Sequence, residues 1–220
     1  MRSVFKKLIK IIAIYSLLVT SVTAEKLMVF NFTEEELNSL EVRKVRGADA
    51  KTLYSIGNNE NGSYLKAVAE NAASGVGKEI KINLDKTPFI NITWKIEKDL
   101  KGIKENTKKG HDFAARVFVI KKTGATPLSN RAINYVFSSN SNVGETWPSP
   151  YTKKSIDSIL ASTMSNLNEW VTVKANVKED FKKFHNLEVN ELDGLAIMSD
   201  TDNSKMKAIA YYQNIYFSSE

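Results

Sequence analysis

Acidic and amide side chains alternate in the segment Asp200-Thr201-Asp202-Asn203, which lies between two predicted strands. Closely spaced acids are typical of calcium-binding loops, because calcium takes oxygen ligands. A helix-loop-helix calcium site is nevertheless excluded, because Lys205 stands at the sixth position, where glycine is required, and Tyr211 at the twelfth, where glutamate is required. Three interpretations remain: a hairpin turn bonded to its own backbone, a structural calcium ion, or an ion pair beside a binding surface.

Asp112 and Arg116 belong to a second candidate segment, the strand-like run 110–116. On an extended strand both side chains point to one face, and because that face is otherwise apolar, Arg116 faces a covered layer of the fold. A guanidinium buried there without a carboxylate would cost several kcal/mol. Asp112 lies about 13 Å away along the strand. The partner of Arg116 must therefore come from elsewhere, and Asp200 and Asp202 are candidates.

A third candidate is the aromatic segment Trp147-Pro148-Ser149-Pro150-Tyr151, in the longest predicted loop, 139–154. Two prolines stiffen it, and binding residues are often carried by loops on a rigid β scaffold. Its rings are suited to stacking on a sugar or another apolar ligand surface. The alternative is that Trp147 folds back as a lid over the end of the sandwich.

Histidine chemistry has little support in this chain. Its two histidines are His111 and His185, and no Gly-x-Ser-x-Gly elbow, histidine pair at helical spacing or phosphate-binding glycine loop accompanies them. Both are interpreted as solvated or structural. The absence of cysteine excludes disulfides, thiol nucleophiles and thiolate metal sites. The sequence therefore assigns no catalytic residue and no cofactor.

The first 24 residues have the layout of a secretory signal. Four basic residues precede an apolar run from Ile11 to Val22, and Val22 and Ala24 fit the cleavage positions before Glu25. The run is shorter than the roughly 20 residues of a membrane-spanning helix. We therefore predict a signal peptide over 1–24, a single domain over 25–220, and a bacterial periplasmic or secreted location without a transmembrane segment after cleavage.

The charge balance gives no indication of a nucleic-acid partner. The whole chain has 31 basic and 25 acidic residues, and without the four in the signal the basic count falls to 27. Nucleic-acid binding needs a basic face or stripe. The one local cluster, Lys98 to Lys109, also contains Asp99 and Glu105 and is interpreted as a solvated loop.

Alternation of apolar and polar residues predicts a mainly all-β fold. In Phe89 to Ile96 every second residue is apolar, as expected for a strand covered on one side. Strands are predicted at 27–32, 52–56, 64–70, 78–84, 89–96, 113–121, 132–138, 156–162, 170–175, 194–199 and 208–217. Many short strands without long helices between them predict an antiparallel two-sheet sandwich, with Trp94 and Trp170 in its core.

Two short helices are also predicted. Thr33 is suited to cap a helix from Glu34 to Leu40, whose first turn is acidic. Asn176 is suited to cap a helix from Val177 to Phe184, with Glu179 at the third position. Both are interpreted as structural.

These segments resemble an uncharacterised family of exported bacterial proteins, catalogued as domain of unknown function 3047. The resemblance covers roughly 63–217 and rests on the segments 112–117, 133–136, 176–181 and 196–203, followed by 210–212. It implies a jelly-roll sandwich similar in outline to sugar-binding modules, without an established activity. The chain departs from the family pattern at His111, Phe137 and Ala175, so a role resting on those positions does not transfer.

The leading hypothesis is a non-catalytic, exported binding domain for a carbohydrate or small polar ligand. The predicted ligand-binding residues are Asp112, Arg116, Tyr135, Trp147, Tyr151, Asp200, Asp202 and Asn203. One alternative is a structural or protein-interaction component of the cell envelope. Another is a polysaccharide hydrolase or lyase with Asp112, Asp200 or Asp202 as acid and base.

Overall fold

The computed structural model describes residues 25–220, which form two packed β-sheets. In chain order the strands of this part are β1 (Lys26–Met28), β2 (Arg43–Lys44), β3 (Leu53–Asn59), β4 (Gly62–Glu70), β5 (Ala73–Asn83), β6 (Phe89–Lys98), β7 (Ala115–Lys121), β8 (Arg131–Ser138), β9 (Thr146–Ser149), β10 (Thr152–Ser162), β11 (Val171–Asn176), β12 (Glu191–Asp200) and β13 (Lys207–Ser218). The predicted signal peptide lies outside the described residues. Within them, no helix is both long and apolar enough to cross a membrane.

The sheet order is that of a jelly roll. The first sheet runs β11-β6-β13-β4-β3, with β1 also paired to β13, and the second runs β2-β5-β12-β7-β8-β10-β9. The chain changes sheet at each step from β4 to β7, and again from β10 to β13. This alternation places β4 beside β13 and β5 beside β12, which is the arrangement of two nested Greek keys. The predicted sandwich fold is confirmed.

Two features of the sheets differ from the prediction. Thr146–Ser149, predicted as loop, is the edge strand β9. Pro148 has no backbone N–H to donate, and an edge strand tolerates it because one side of that strand has no partner. The second sheet is mixed, because β10 runs parallel to β8 while the other strand pairs of this sheet are antiparallel. The chain passes from β8 to the outermost strand, β9, and then turns back to form β10 between β9 and β8. β10 therefore runs antiparallel to β9 and parallel to β8.

Period-two alternation correctly predicts which side chains fill the core. On β6, Ile90, Ile92, Trp94 and Ile96 are all buried between the sheets, and the intervening residues face outward. Burial of such side chains stabilises a fold by roughly 1.5–3 kcal/mol each. The prediction that Trp170 lies in the core is wrong. This residue directly precedes the edge strand β11 and lies half-buried on the outer face of the first sheet.

Three short helices accompany the sheets in the described region: α1 (Glu34–Ser39), α2 (Thr163–Asn166) and α3 (Val177–His185). Both predicted caps are confirmed, since Thr33 accepts from the Glu36 amide and Asn176 from the Glu179 amide. The single-turn α2 was not predicted. On α3, Val177 and Phe181 are buried against the sandwich, which places this helix over one end of the core.

Candidate functional site at one end of the sandwich

Asp200 and Asp112 meet where β12 ends and the segment before β7 begins. These strands are antiparallel, and their register includes the pair Met198 and Arg116. Beyond that pair, the Asp200 amide donates to the Phe113 carbonyl and the Phe113 amide donates to Asp200 Oδ1, both at 3.1 Å. The strand pairing therefore brings together two acidic segments that are distant in sequence.

Arg116 forms the ion pair that its predicted burial requires. Its guanidinium donates to Asp200 Oδ2, and the two residues are only 4% and 2% exposed. The guanidinium carbon lies 5.2 Å from the centre of the Phe113 ring and 5.4 Å from that of Phe118, within cation–π range. Its Nε is buried without a hydrogen-bond partner in the described structure. The ion pair with Asp200 therefore satisfies only part of the hydrogen-bonding capacity of the buried guanidinium.

Asp112 holds the turn that follows β12. Its Oδ1 accepts from the Asn203 amide at 3.2 Å and from Asn203 Nδ2 at 2.8 Å, while its Oδ2 accepts from the Ser204 amide at 2.5 Å. Asp112 is fully buried. The hairpin-turn interpretation is thus correct in part, but the carboxylate that bonds the turn amides is supplied by Asp112 from outside the turn.

Three carboxylates converge at this point. Asp112, Asp200 and Asp202 each offer an oxygen, and these atoms all lie within 4.8 Å of one another. Burial raises the pKa of Asp200 to about 8 against the opposing effect of Arg116, and the neighbouring Asp112 carboxylate adds to the rise. Burial and Asp112 also raise the pKa of Asp202. We refer to Asp112, Asp200 and Asp202 as the carboxylate cluster.

The carboxylate cluster has unused acceptor capacity. A carboxylate presents about four lone-pair sites. Asp200 accepts two hydrogen bonds and Asp112 accepts three, so both retain sites for a further ligand. When all three acids are ionised, Arg116 leaves a net charge of −2 in the cluster. Oxygen ligands with this charge suit a hard divalent cation such as calcium.

Tyr151 lies beside the cluster and Trp147 lies further along the same face. The Tyr151 hydroxyl is 2.6 Å from Asn203 Oδ1, and the side chain is 56% exposed. Trp147 packs on a small cluster of Phe113, Val136 and Ile159, with its indole N–H buried and unpartnered. Of the two predicted aromatics, Tyr151 is thus accessible to a ligand, while Trp147 packs on the outer face of the second sheet.

A buried cluster of three polar side chains, His111, Asn134 and Asp157, lies beside Tyr151 and was not predicted. His111 Nε2 lies 2.8 Å from Asp157 Oδ2, and Asn134 Nδ2 donates to Asp157 Oδ1 at 2.6 Å. The His111 ring also makes an edge contact with Tyr151, with 5.5 Å between ring centres. The available signal was Asp157 itself, a lone acid in an apolar strand, since such an acid must be paired.

Tyr135 is the predicted site residue that the fold places elsewhere. It lies on β8 with its ring in the core between the sheets, and its hydroxyl donates to Asp180 Oδ2 of α3 at 2.7 Å. Neighbouring side chains on a strand point to opposite faces, so Tyr135 points away from the face that carries Asn134. This hydrogen bond connects α3 to the second sheet.

Replacing Tyr135 by phenylalanine is expected to lower the free energy of unfolding by about 1–3 kcal/mol, because Asp180 loses a buried hydrogen bond. Burial already raises the pKa of Asp180, and the hydroxyl of Tyr135 opposes that rise. Urea unfolding measures the change. Tyr216→Phe is the control, because that residue belongs to β13 in the first sheet. Equal stability of Y135F and the wild type would contradict this role.

The chain matches a known protein family over most of its length. A family model described as Protein of unknown function (DUF3047) matches residues 38–216. The chain belongs to this family. The DUF3047 match includes every residue of the carboxylate cluster as well as Arg116 and Tyr151. No curated protein sequence matches the chain.

Solved structures resemble this DUF3047 chain only distantly. A family 11 carbohydrate-binding module of a cellulosomal cellulase from Clostridium thermocellum has 12% identity and a TM-score of 0.44, covering 90% of this chain and 95% of that one. A xyloglucanase domain of NopAA from Sinorhizobium fredii, solved with cellobiose, has 10% identity and a TM-score of 0.44, covering 80% and 92%. The family GH12 endoglucanase 3 of Trichoderma harzianum has 7% identity and a TM-score of 0.43, covering 90% and 98%. Likeness of this degree carries no information on function.

Proposed function

We propose that this chain is a non-catalytic binding domain for a carbohydrate or another small polar ligand, with a site organised by a calcium ion on Asp112, Asp200 and Asp202. The convergence of three carboxylate oxygens within 4.8 Å of one another is the observation that carries the proposal. The layout of residues 1–24 supports the further proposal that the domain acts in the periplasm or outside the cell.

The charges around the cluster support a divalent rather than a monovalent cation. Three carboxylates, which a bound divalent cation would hold in the ionised form, oppose one guanidinium. The next cation along the turn, Lys205, pairs with Asp49 at 2.9 Å. Calcium accepts six to eight oxygen ligands in flexible geometry, whereas magnesium demands a near-ideal octahedron. Because the turn already uses several carboxylate lone pairs, an irregular oxygen set remains, and this favours calcium.

The position of the cluster supports a polar ligand at its outer edge. Asp202 and Asn203 are only half-buried, and Tyr151 beside them is exposed. A sugar has hydroxyls to coordinate the cation and to bond with Asn203, and an apolar face to pack on the Tyr151 ring. Binding through a metal and one aromatic side chain requires no movement of the core.

A catalytic role for the same acids has weaker support. Glycoside hydrolysis requires two carboxylates that flank the scissile bond. Asp112 is 0% and Asp200 2% exposed, so a polymer cannot reach either acid while the turn is in place. Two described cavities, under α1 and at the start of α3, are lined by other residues. We therefore place the cluster under the ligand as a support for binding.

Calcium is expected to raise the melting temperature of the mature protein, measured by differential scanning fluorimetry after chelation and titration. A ligand at 100 times its Kd stabilises by about 2.7 kcal/mol. For a chain of this size that is roughly 5–10 °C. A smaller response to magnesium is expected. An unchanged melting temperature at millimolar calcium would overturn the metal site.

Asp202→Asn provides the sharper test, because Asp202 is the most accessible acid of the cluster. In chelator the variant is expected to be as stable as the wild type or more so, since a repelling charge beside Asp112 is removed. In calcium it is expected to lose the stabilisation. Asp85→Asn, which alters an exposed acid paired with Lys178, is the matched control. Carbohydrate binding itself is tested on a glycan array with and without calcium, and no bound glycan would overturn that part.

A further inference from the structure

Three aromatic rings meet on the outer face of the first sheet, away from the carboxylate cluster. The ring centres of Tyr64 and Tyr211 are 5.4 Å apart, those of Tyr64 and Trp170 are 6.0 Å apart, and those of Trp170 and Tyr211 are 6.1 Å apart. Tyr64 and Trp170 are half-buried, and Tyr211 lies between them with 7% exposure. None of the three belongs to the buried core cluster.

Strand register explains why these rings share one face. Trp94 on β6 and Tyr212 on β13 are paired and point into the core, so the neighbouring Tyr211 points outward. The Tyr64 ring lies directly over Gly57 of β3, where a β-carbon would stand 2.5 Å from the ring. Glycine at 57 therefore makes room for this ring, which covers the edge of the sheet.

Two lysines flank Tyr211 on the same face. Lys66 and Lys95 are its register partners on β4 and β6, and their Nζ atoms lie 5.5 and 4.4 Å from its ring centre. Lys95 Nζ is also 5.4 Å from the Trp170 ring. In the described part of the chain neither lysine forms an ion pair. Glu97 of β6 accepts a hydrogen bond from the Tyr211 hydroxyl, so the face carries two lysines against one acid, and its net positive charge attracts an anion.

We propose that Tyr64, Lys66, Lys95, Trp170 and Tyr211, here called the lysine–aromatic face, form a second binding site, for an acidic polysaccharide. A sugar ring presents an apolar C–H face to Trp170 and Tyr64, and a uronate carboxylate accepts from the two lysines. The row Trp170, Lys95, Tyr211 and Lys66 crosses four strands, about 14 Å at the usual spacing. A face this long takes an extended chain rather than a single sugar.

This site is independent of the calcium proposal. Its residues come from β4, β6, β13 and the start of β11, all in the first sheet, whereas the carboxylate cluster lies at the end of β12 and before β7 in the second. Loss of either site leaves the other measurable. Calcium is expected to have no effect on binding at the lysine–aromatic face.

Isothermal titration with hexamers of galacturonate, mannuronate and hyaluronan, in chelator, tests the proposal on mature wild-type protein. At least one acidic hexamer is expected to bind, and affinity is expected to fall as salt rises, because surface charges are screened. Cellohexaose is expected to bind at least about tenfold more weakly, since it lacks the carboxylate. Absence of binding to all three acidic hexamers, or equal binding of cellohexaose, would overturn the proposal.

Two variants locate the site. K66Q/K95Q removes both charges but keeps side chains that cover the rings, and it is expected to weaken acidic hexamer binding at least about tenfold. Trp170→Ala is expected to do the same by removing the stacking surface, with circular dichroism to verify folding. K153Q/K154Q, on β10 of the other sheet, is the charge-matched control and is expected to bind normally. Unchanged affinity of K66Q/K95Q would place binding elsewhere and overturn the assignment.

Discussion

Replacing Arg116 by methionine is expected to lower the free energy of unfolding by about 3–5 kcal/mol above pH 8, where Asp200 is ionised, because removal of one partner leaves a buried charge uncompensated. Arg116 and Asp200 are both nearly inaccessible, so water cannot take the place of the guanidinium. The arginine stem and its stacking on Phe113 and Phe118 are lost as well. Urea unfolding at pH 9 in chelator measures the change.

The double variant R116M/D200N distinguishes loss of the pair from loss of shape. Removing both charges together is expected to recover a large part of the stability lost in R116M, since apolar or neutral replacements of a whole buried pair are often well tolerated. Lys182→Met, at the exposed pair with Glu188, is the control and is expected to leave the free energy of unfolding nearly unchanged. A double variant no more stable than R116M would show that the charges are not the reason.

Stability in chelator is expected to fall as pH rises between about 5 and 8. In the folded state burial raises the pKa of Asp200 to about 8, from an ordinary value of 3.8. Folded protein therefore keeps a proton that unfolded protein has released, and stability declines by about 1.4 kcal/mol per pH unit for such a group. The contribution is complete below the unfolded pKa and is lost as pH passes the folded one.

Asp200→Asn is expected to flatten this slope, because asparagine does not titrate. Asp202, Glu105 and Asp180 also have pKa values raised by burial, so some slope will remain. Asp193, whose pKa is lowered to about 2 by its lysine neighbours against the effect of burial, stays ionised throughout this window. Equilibrium unfolding at each pH is the measurement. An identical slope in D200N and the wild type would contradict a raised pKa at this residue.

The local elements were largely predictable from short stretches of sequence. Alternation over 89–96 correctly predicts both the strand β6 and its inward face, because strand side chains alternate whatever the partner strand is. Thr33 and Asn176 correctly mark two helix starts, because a cap bonds amides two or three residues away. By contrast, β9 contains Pro148 and is followed by Pro150, so it resembles a loop in composition, and its hairpin with β10 was not predicted.

The candidate site was predictable only in part. The need of Arg116 for a carboxylate follows from its place in an apolar strand, but its partner Asp200 is 84 residues away. Tyr135 was predicted to be a site residue, but its ring lies in the core between the sheets, and its hydroxyl bonds Asp180 of α3. Trp170 was assigned to the core by strand pattern alone, but its ring lies on the outer face of the first sheet beside Tyr64 and Tyr211.

The sequence by itself determined most of the strands, the two helix caps, the absence of thiol chemistry and the residue types from which a site could be built. These properties depend on side-chain alternation, local hydrogen bonds and composition, all of which act over a few residues. Only the tertiary structure decided that Asp112, Asp200 and Asp202 converge, and that two lysines and three aromatic rings share an outer face. Those arrangements depend on which strands pair and in what register, and because neighbouring strands of a jelly roll come from distant parts of the chain, no short segment contains that information.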